Sequence, residues 1–157
     1  MVDGSRPKVS RVEAAPGRIW EEGYRRGDLR GDVFADVAPA LRRWREAGLD
    51  VAIYSSGSVL AQRLLFESTP DGDLTPQLSG FFDTAVGPKT SPSSYTRIAA
   101  SLGHPANQVL FVSDVTAELN AAREAGLQVI LSIRPGNALQ QGAEDFEAVK
   151  NFYAISP

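Results

Sequence analysis

From Asp36 onward, apolar residues fall into two alternating rhythms. One repeats every three to four residues, as a helix face does. The other is a short continuous run, as in a strand covered on both sides. Asp36 is placed to cap a helix that runs through Leu41 and Trp44 to Ala47, where Gly48 stops it. Further helices are expected at Ser58 to Glu67, Ser91 to Leu102, Thr116 to Ala125 and Glu144 to Asn151. In the first of these, Leu60, Leu64 and Leu65 share a face. In the second, Pro92 sits at the first position, where a missing N–H costs nothing. Strands are expected at Leu49 to Tyr54, Phe81 to Val86, Gln108 to Ser113 and Leu127 to Ile133. The segment before residue 31 is polar and rich in Arg, Glu and Gly. It carries a candidate helix from Pro16 to Tyr24, with Gly27 and Gly31 suited to its end.

Strands that alternate with helices imply an α/β fold: a parallel sheet in three layers, with right-handed crossovers. Functional groups in such sheets stand just past the carboxyl ends of the strands.

Composition narrows the chemistry. The 157 residues are 43% hydrophobic and 22% charged, the balance of a globular domain. A net charge of −3 gives no basic excess to neutralise nucleic-acid phosphates. With no cysteine, a disulfide framework, a zinc ribbon and a thiol nucleophile are excluded. One histidine, His104, cannot build a multi-histidine metal site. A metal would be held by oxygen ligands, which favours Mg²⁺. The first residues, Met1 to Lys8, show no apolar core of a signal peptide, and no run is long enough to span a membrane. The cytoplasm is the expected location.

Three segments that follow strands carry candidate chemistry. Ser55-Ser56-Gly57-Ser58 offers hydroxyls and backbone N–H groups to an anion at a helix start, and is equally an ordinary N-cap. Gly87-Pro88-Lys89-Thr90-Ser91-Pro92 holds a lysine between glycine and prolines, where it is either a fixed charge or a solvated one. Asp114 stands at a strand end with Glu118 one helical turn on, either as an acid pair for a hard cation or as a cap and a solvated acid. The alternating fold is expected to bring all three to one edge of the sheet. Hydroxyls and a lysine bind phosphate oxygens, and carboxylates hold a Mg²⁺ that also touches the phosphate. No G-x-x-x-x-G-K-[ST] and no G-x-G-x-x-G is present, which argues against a P-loop or dinucleotide site.

The order Ser/Thr, Lys, acidic pair resembles motifs two to four of the haloacid dehalogenase-like phosphohydrolases. Five blocks resemble more closely the enolase-phosphatases, or acireductone synthases: Ile19 to Tyr24, Tyr54 to Ser58, Gln62 to Phe66, Ser113 to Glu118 and Arg134-Pro135-Gly136-Asn137. The resemblance covers roughly residues 17 to 138. The resemblance implies a Rossmann-like core over residues 31–157, preceded by an N-terminal segment, residues 1–30, with the remnant of a helical cap. It implies a Mg²⁺-dependent monomer in methionine salvage that enolises 2,3-diketo-5-methylthiopentyl-1-phosphate and then removes its phosphate. By position, Ser55, Ser56 and Gly57 would bind the phosphate, and Lys89 would steady the phosphate and the nucleophile. Asp114 would hold Mg²⁺ with support from Glu118. Trp20, Glu21 and Tyr24 would lie where cap meets core.

The family's first motif, D-x-[DE]-G-T at the end of a strand, has no counterpart. Asp3-Gly4-Ser5 mimics only its tail. The expected core therefore lacks its usual first, central strand and the aspartate nucleophile. Three readings follow. The chain belongs to an enolase-phosphatase whose first part lies elsewhere, in a longer or a complementary polypeptide; it is a remnant that binds phosphate and Mg²⁺ without turnover; or it is a different haloacid dehalogenase-like phosphatase whose nucleophile is supplied some other way.

Overall fold

The computed structural model describes residues 22–157. The expected helix from Pro16 therefore lies largely outside the described residues; its end is seen as the helical residues 22–25. The described chain forms two compact units that meet in sequence between Asp83 and Thr84. The expected boundary at residue 30 falls within the first.

After those helical residues, the first unit holds helix α1, Val37–Glu46. It buries Val37, Ala38, Ala40, Leu41 and Trp44, the face that the apolar spacing predicts. Asp36 occupies the N-cap position, but its side chain makes no cap hydrogen bond. Gly48 follows the helix at φ +82°, a left-handed turn that a side chain would strain. Strand β1, Ala52–Tyr54, is buried at every position. Helix α2, Val59–Glu67, and strand β2, Gly80–Phe82, complete the unit. β1 and β2 pair in parallel, with Ile53 opposite Phe81.

Two expectations need correction here. The inward positions of α2 are Gln62 and Phe66, while Leu60 is 44% exposed. Gln62 and Phe66, four apart, share that face, and Phe66 meets Phe81 at 6.3 Å between ring centroids. The second strand ends at Phe82 rather than Val86, because Thr84 to Gly87 closes a turn through Gly87 N–H to Thr84 O.

The second unit holds helix α3, Pro92–Leu102, strand β3, Leu110–Ser113, helix α4, Thr116–Glu124, strand β4, Gln128–Ser132, and strand β5, Ala148–Val149. The sheet is parallel in the order β3-β4-β5. Tyr95 and Phe111, both fully buried, bring their rings to 4.8 Å at 60° and tie α3 to β3. Ile98, Leu119, Ala122 and Leu131 fill the same core. The last expected helix does not form. Residues from Glu144 to Asn151 instead make part of a 3₁₀ turn, Ala143–Asp145, and then β5, which pairs Ala148 with Leu131 and Val149 with Ser132. Phe146 and Val149 fit a helical spacing, but the open edge of β4 offers this stretch backbone partners as well. Among the described residues, β1 and β3 each pair along one edge only, with β2 and with β4.

No helix among the described residues is long and apolar enough to cross a membrane.

Candidate active site

In the first unit, the segment after β1 is a loop fixed from within. Ser55 N–H reaches back to Phe82 O at 3.1 Å, and Ser55 Oγ accepts from Gly57 N–H at 3.2 Å. Ser58 is the N-cap of α2 and accepts from Ala61 N–H at 3.2 Å. The carboxylate of Asp83 accepts from Val59 N–H at 3.2 Å. Two N–H groups at this helix start are thus already engaged, one of them by the protein's own negative charge. Ser55 is half-buried, and Ser56 and Gly57 are exposed. What remains for an anion is hydroxyl and loop-backbone chemistry more than the helix terminus.

Gln62 was not anticipated as part of this loop. It is 5% exposed, and its Nε2 donates at 2.8 Å both to Gly57 O and to Phe82 O. It therefore pins the loop after β1 to the end of β2. By hydropathy a glutamine in a helix reads as a surface residue; its place at the head of the Gln62 to Phe66 block, four positions before Phe66, is the signal that points inward.

In the second unit, Lys89 lies in the loop before α3. Three contacts order that loop. Tyr95 Oη donates to Lys89 O, Ser94 Oγ donates to Pro88 O at 2.8 Å, and an Arg97 guanidinium N–H donates to Val86 O at 2.9 Å. Gly87 has φ +137°, and a Cβ there would lie 2.3 Å from Ser94 Oγ, so the position accepts only glycine. The loop delivers Lys89 Nζ to within 2.9 Å of Glu118 Oε2. Both side chains are nearly buried, at 11% and 10% exposure. Ser113 Oγ donates to the same Glu118 oxygen at 2.8 Å and accepts from Val115 N–H at 3.1 Å. Glu118 is therefore not a solvated helix acid. It is the counter-charge that holds a lysine in a low-dielectric setting.

Asp114 follows Ser113 at the end of β3 and is half-buried. Its Oδ2 accepts from Asn137 Nδ2 at 3.0 Å. Lys89, Glu118, Ser113 and Asp114 are thus joined by adjacency and hydrogen bonds in one unit. Ser55, Ser56 and Gly57 belong to the other. Trp20 and Glu21 lie outside the described residues; Tyr24 is half-buried, and burial pushes its phenol above the ordinary range.

Among the described residues, no three His, Asp or Glu side chains stand together as a metal cage. Mg²⁺ does not require one. It is commonly held by one or two carboxylates, several waters and the substrate phosphate. Asp114 fits that pattern, with one oxygen fixed by an amide donor and hard oxygen chemistry at the other.

The haloacid dehalogenase-like hydrolase family model matches residues 5–126. The enolase-phosphatase E1 of Synechococcus elongatus is 55% identical over 138 residues, 88% of this chain and 58% of that protein. That of Drosophila mojavensis is 49% identical over 150 residues, 94% of this chain and 60% of its own length. The chain thus spans about three fifths of the length of these curated relatives. Among solved structures, the UTR4 protein of Saccharomyces cerevisiae superposes with a TM-score of 0.80 at 37% identity, covering 88% of this chain and 64% of that one. CbbY from Rhodobacter sphaeroides, solved with phosphate, reaches 0.67 at 19% identity, a likeness of fold. The parallel sheets, the Ser/Thr-Lys-Asp order and the family match over most of its length agree that this chain belongs to the haloacid dehalogenase-like hydrolases.

Proposed function

We propose that these residues form the phosphate- and cation-handling part of a cytoplasmic enolase-phosphatase of methionine salvage, whose substrate is 2,3-diketo-5-methylthiopentyl-1-phosphate. The observation that carries the reading is the Lys89–Glu118 pair at 2.9 Å beside Ser113 and Asp114. A lysine held by a buried carboxylate, in a loop stiffened by Gly87 and Tyr95, is a fixed positive charge and not a mobile one. In this reading Lys89 faces the phosphate oxygens. In the other unit, Ser55 and Ser56 offer hydroxyl hydrogen bonds to a phosphate, and Gly57 allows the backbone to approach. Asp114 holds Mg²⁺, and Glu118 acts through Lys89 instead of as a direct ligand. When bound, Mg²⁺ offsets phosphate charge in the transition state.

The sequence contains no D-x-[DE]-G-T, so no carboxylate of that motif is available to accept the phosphoryl group. For these 157 residues by themselves, the reading is binding without turnover. Orthophosphate with millimolar Mg²⁺ is expected to raise the melting temperature of the chain, and Lys89→Met or Ser56→Ala to remove that rise. A wild-type chain with no shift at saturating phosphate sinks the reading. Rapid Mg²⁺-dependent phosphate release by the chain alone, lost in Asp114→Asn, overturns the binding-only part and keeps the phosphatase.

A further inference from the structure

We propose that Asn137 is a positioning residue for Asp114. The inference rests on the reading of Asp114 as the cation ligand. The block Arg134-Pro135-Gly136-Asn137 stands out in the sequence, yet the phosphate-handling groups leave it without a role. Its geometry supplies one. After β4 the chain turns through Gly136 at φ +88°, and Asn137 N–H returns to Arg134 O at 3.0 Å. The Asn137 side-chain carbonyl accepts from Arg134 N–H. That bond fixes which end of the amide is oxygen, so the Nδ2 end is the one that faces Asp114 Oδ2, at 3.0 Å. Arg134, which starts the turn, is 8% exposed and lies 4.5 Å over the Phe152 ring, so the turn is anchored in the core.

An amide donor suits this place better than the alternatives. It satisfies one carboxylate oxygen and sets the carboxylate plane, while leaving the full negative charge for a cation at Oδ1. A lysine or arginine there would compete with the cation for that charge. Removing an outer-sphere partner of this kind weakens metal affinity by about ten- to a hundredfold.

The test uses the purified 157-residue chain and Mn²⁺, with free ion followed by electron paramagnetic resonance. Wild type is expected to bind, Asp114→Asn to lose the site, and Asn137→Ala to bind about tenfold more weakly. If Asp114→Asn loses Mn²⁺ while Asn137→Ala binds like wild type, the positioning role is wrong and the ligand assignment stands. If Asp114→Asn binds like wild type, or wild type binds no Mn²⁺, both are overturned. Asn137→Asp separates positioning from mere locking of the turn. It keeps an acceptor for Arg134 N–H but sets a second carboxylate against Asp114. Its metal-free melting temperature is expected to fall below those of wild type and Asn137→Ala. A value equal to wild type shows that Asn137 serves the turn alone, and the proposal fails.

Discussion

The loop after β1 and the cluster after β3 solve one problem, fixing polar groups at a strand end, by different means. Around Ser55 to Ser58 the bonds run between side chains and backbone, most over short range, with Gln62 and Asp83 as the longer staples. Around Lys89, Glu118 and Asp114 the bonds join side chains across separate elements; the groups are charged, and Lys89 and Glu118 are nearly buried. The first arrangement presents dipoles and tolerates exposure. The second presents whole charges and is stable only while each charge has its partner.

That contrast can be broken in order of size. Glu118→Gln leaves the Lys89 ammonium nearly buried without a counter-charge. It is expected to cost about 3 kcal/mol, seen as a lower urea midpoint at unchanged slope. Adding Lys89→Met is expected to recover part of the loss, and a double-mutant cycle with no coupling would contradict the pairing. Gln62→Leu removes both 2.8 Å bonds of the staple but keeps an apolar fill. A loss of about 1.5 kcal/mol is expected, with faster hydrogen exchange at Gly57 and Ser58. Ser58→Ala deletes only the N-cap bond of α2 and is expected to cost about 1 kcal/mol by the same unfolding measurement. At the bottom of the scale is the exposed Arg45–Asp50 pair at 3.7 Å. Arg45→Ala is expected to change stability by under about 0.5 kcal/mol, and 0.5 M salt to erase even that. A loss from Ser58→Ala larger than that from Glu118→Gln would reverse the comparison.

The same contrast explains what could be read in advance. Continuous apolar runs such as Val51-Ala52-Ile53-Tyr54 and Leu110-Phe111-Val112 have one compact use, and they form β1 and β3 nearly where expected. Gly48 sits at positive φ just after its helix, as its place beyond the apolar face implies. Order along the chain singles out Lys89, Asp114 and Glu118 as candidates. What ties them together is not legible in that order. The Glu118–Lys89 pairing depends on tertiary placement of a loop, and the orientation of the Asn137 amide depends on one backbone N–H. The inward Gln62 and the short strand at Ala148 were missed for a related reason. Hydropathy assigns glutamine to solvent, and two residues of strand leave no period to detect.

The brevity of β5 has a bearing on edge-to-edge association of the chain in concentrated solution. It pairs with only the last part of β4 and is bracketed by Glu147 and Lys150, both exposed. A terminal strand that is two residues long and flanked by opposite charges is a poor template for a second molecule to extend. The sequence that defeats the expected helix thus also acts as a gatekeeper at this one edge of the sheet.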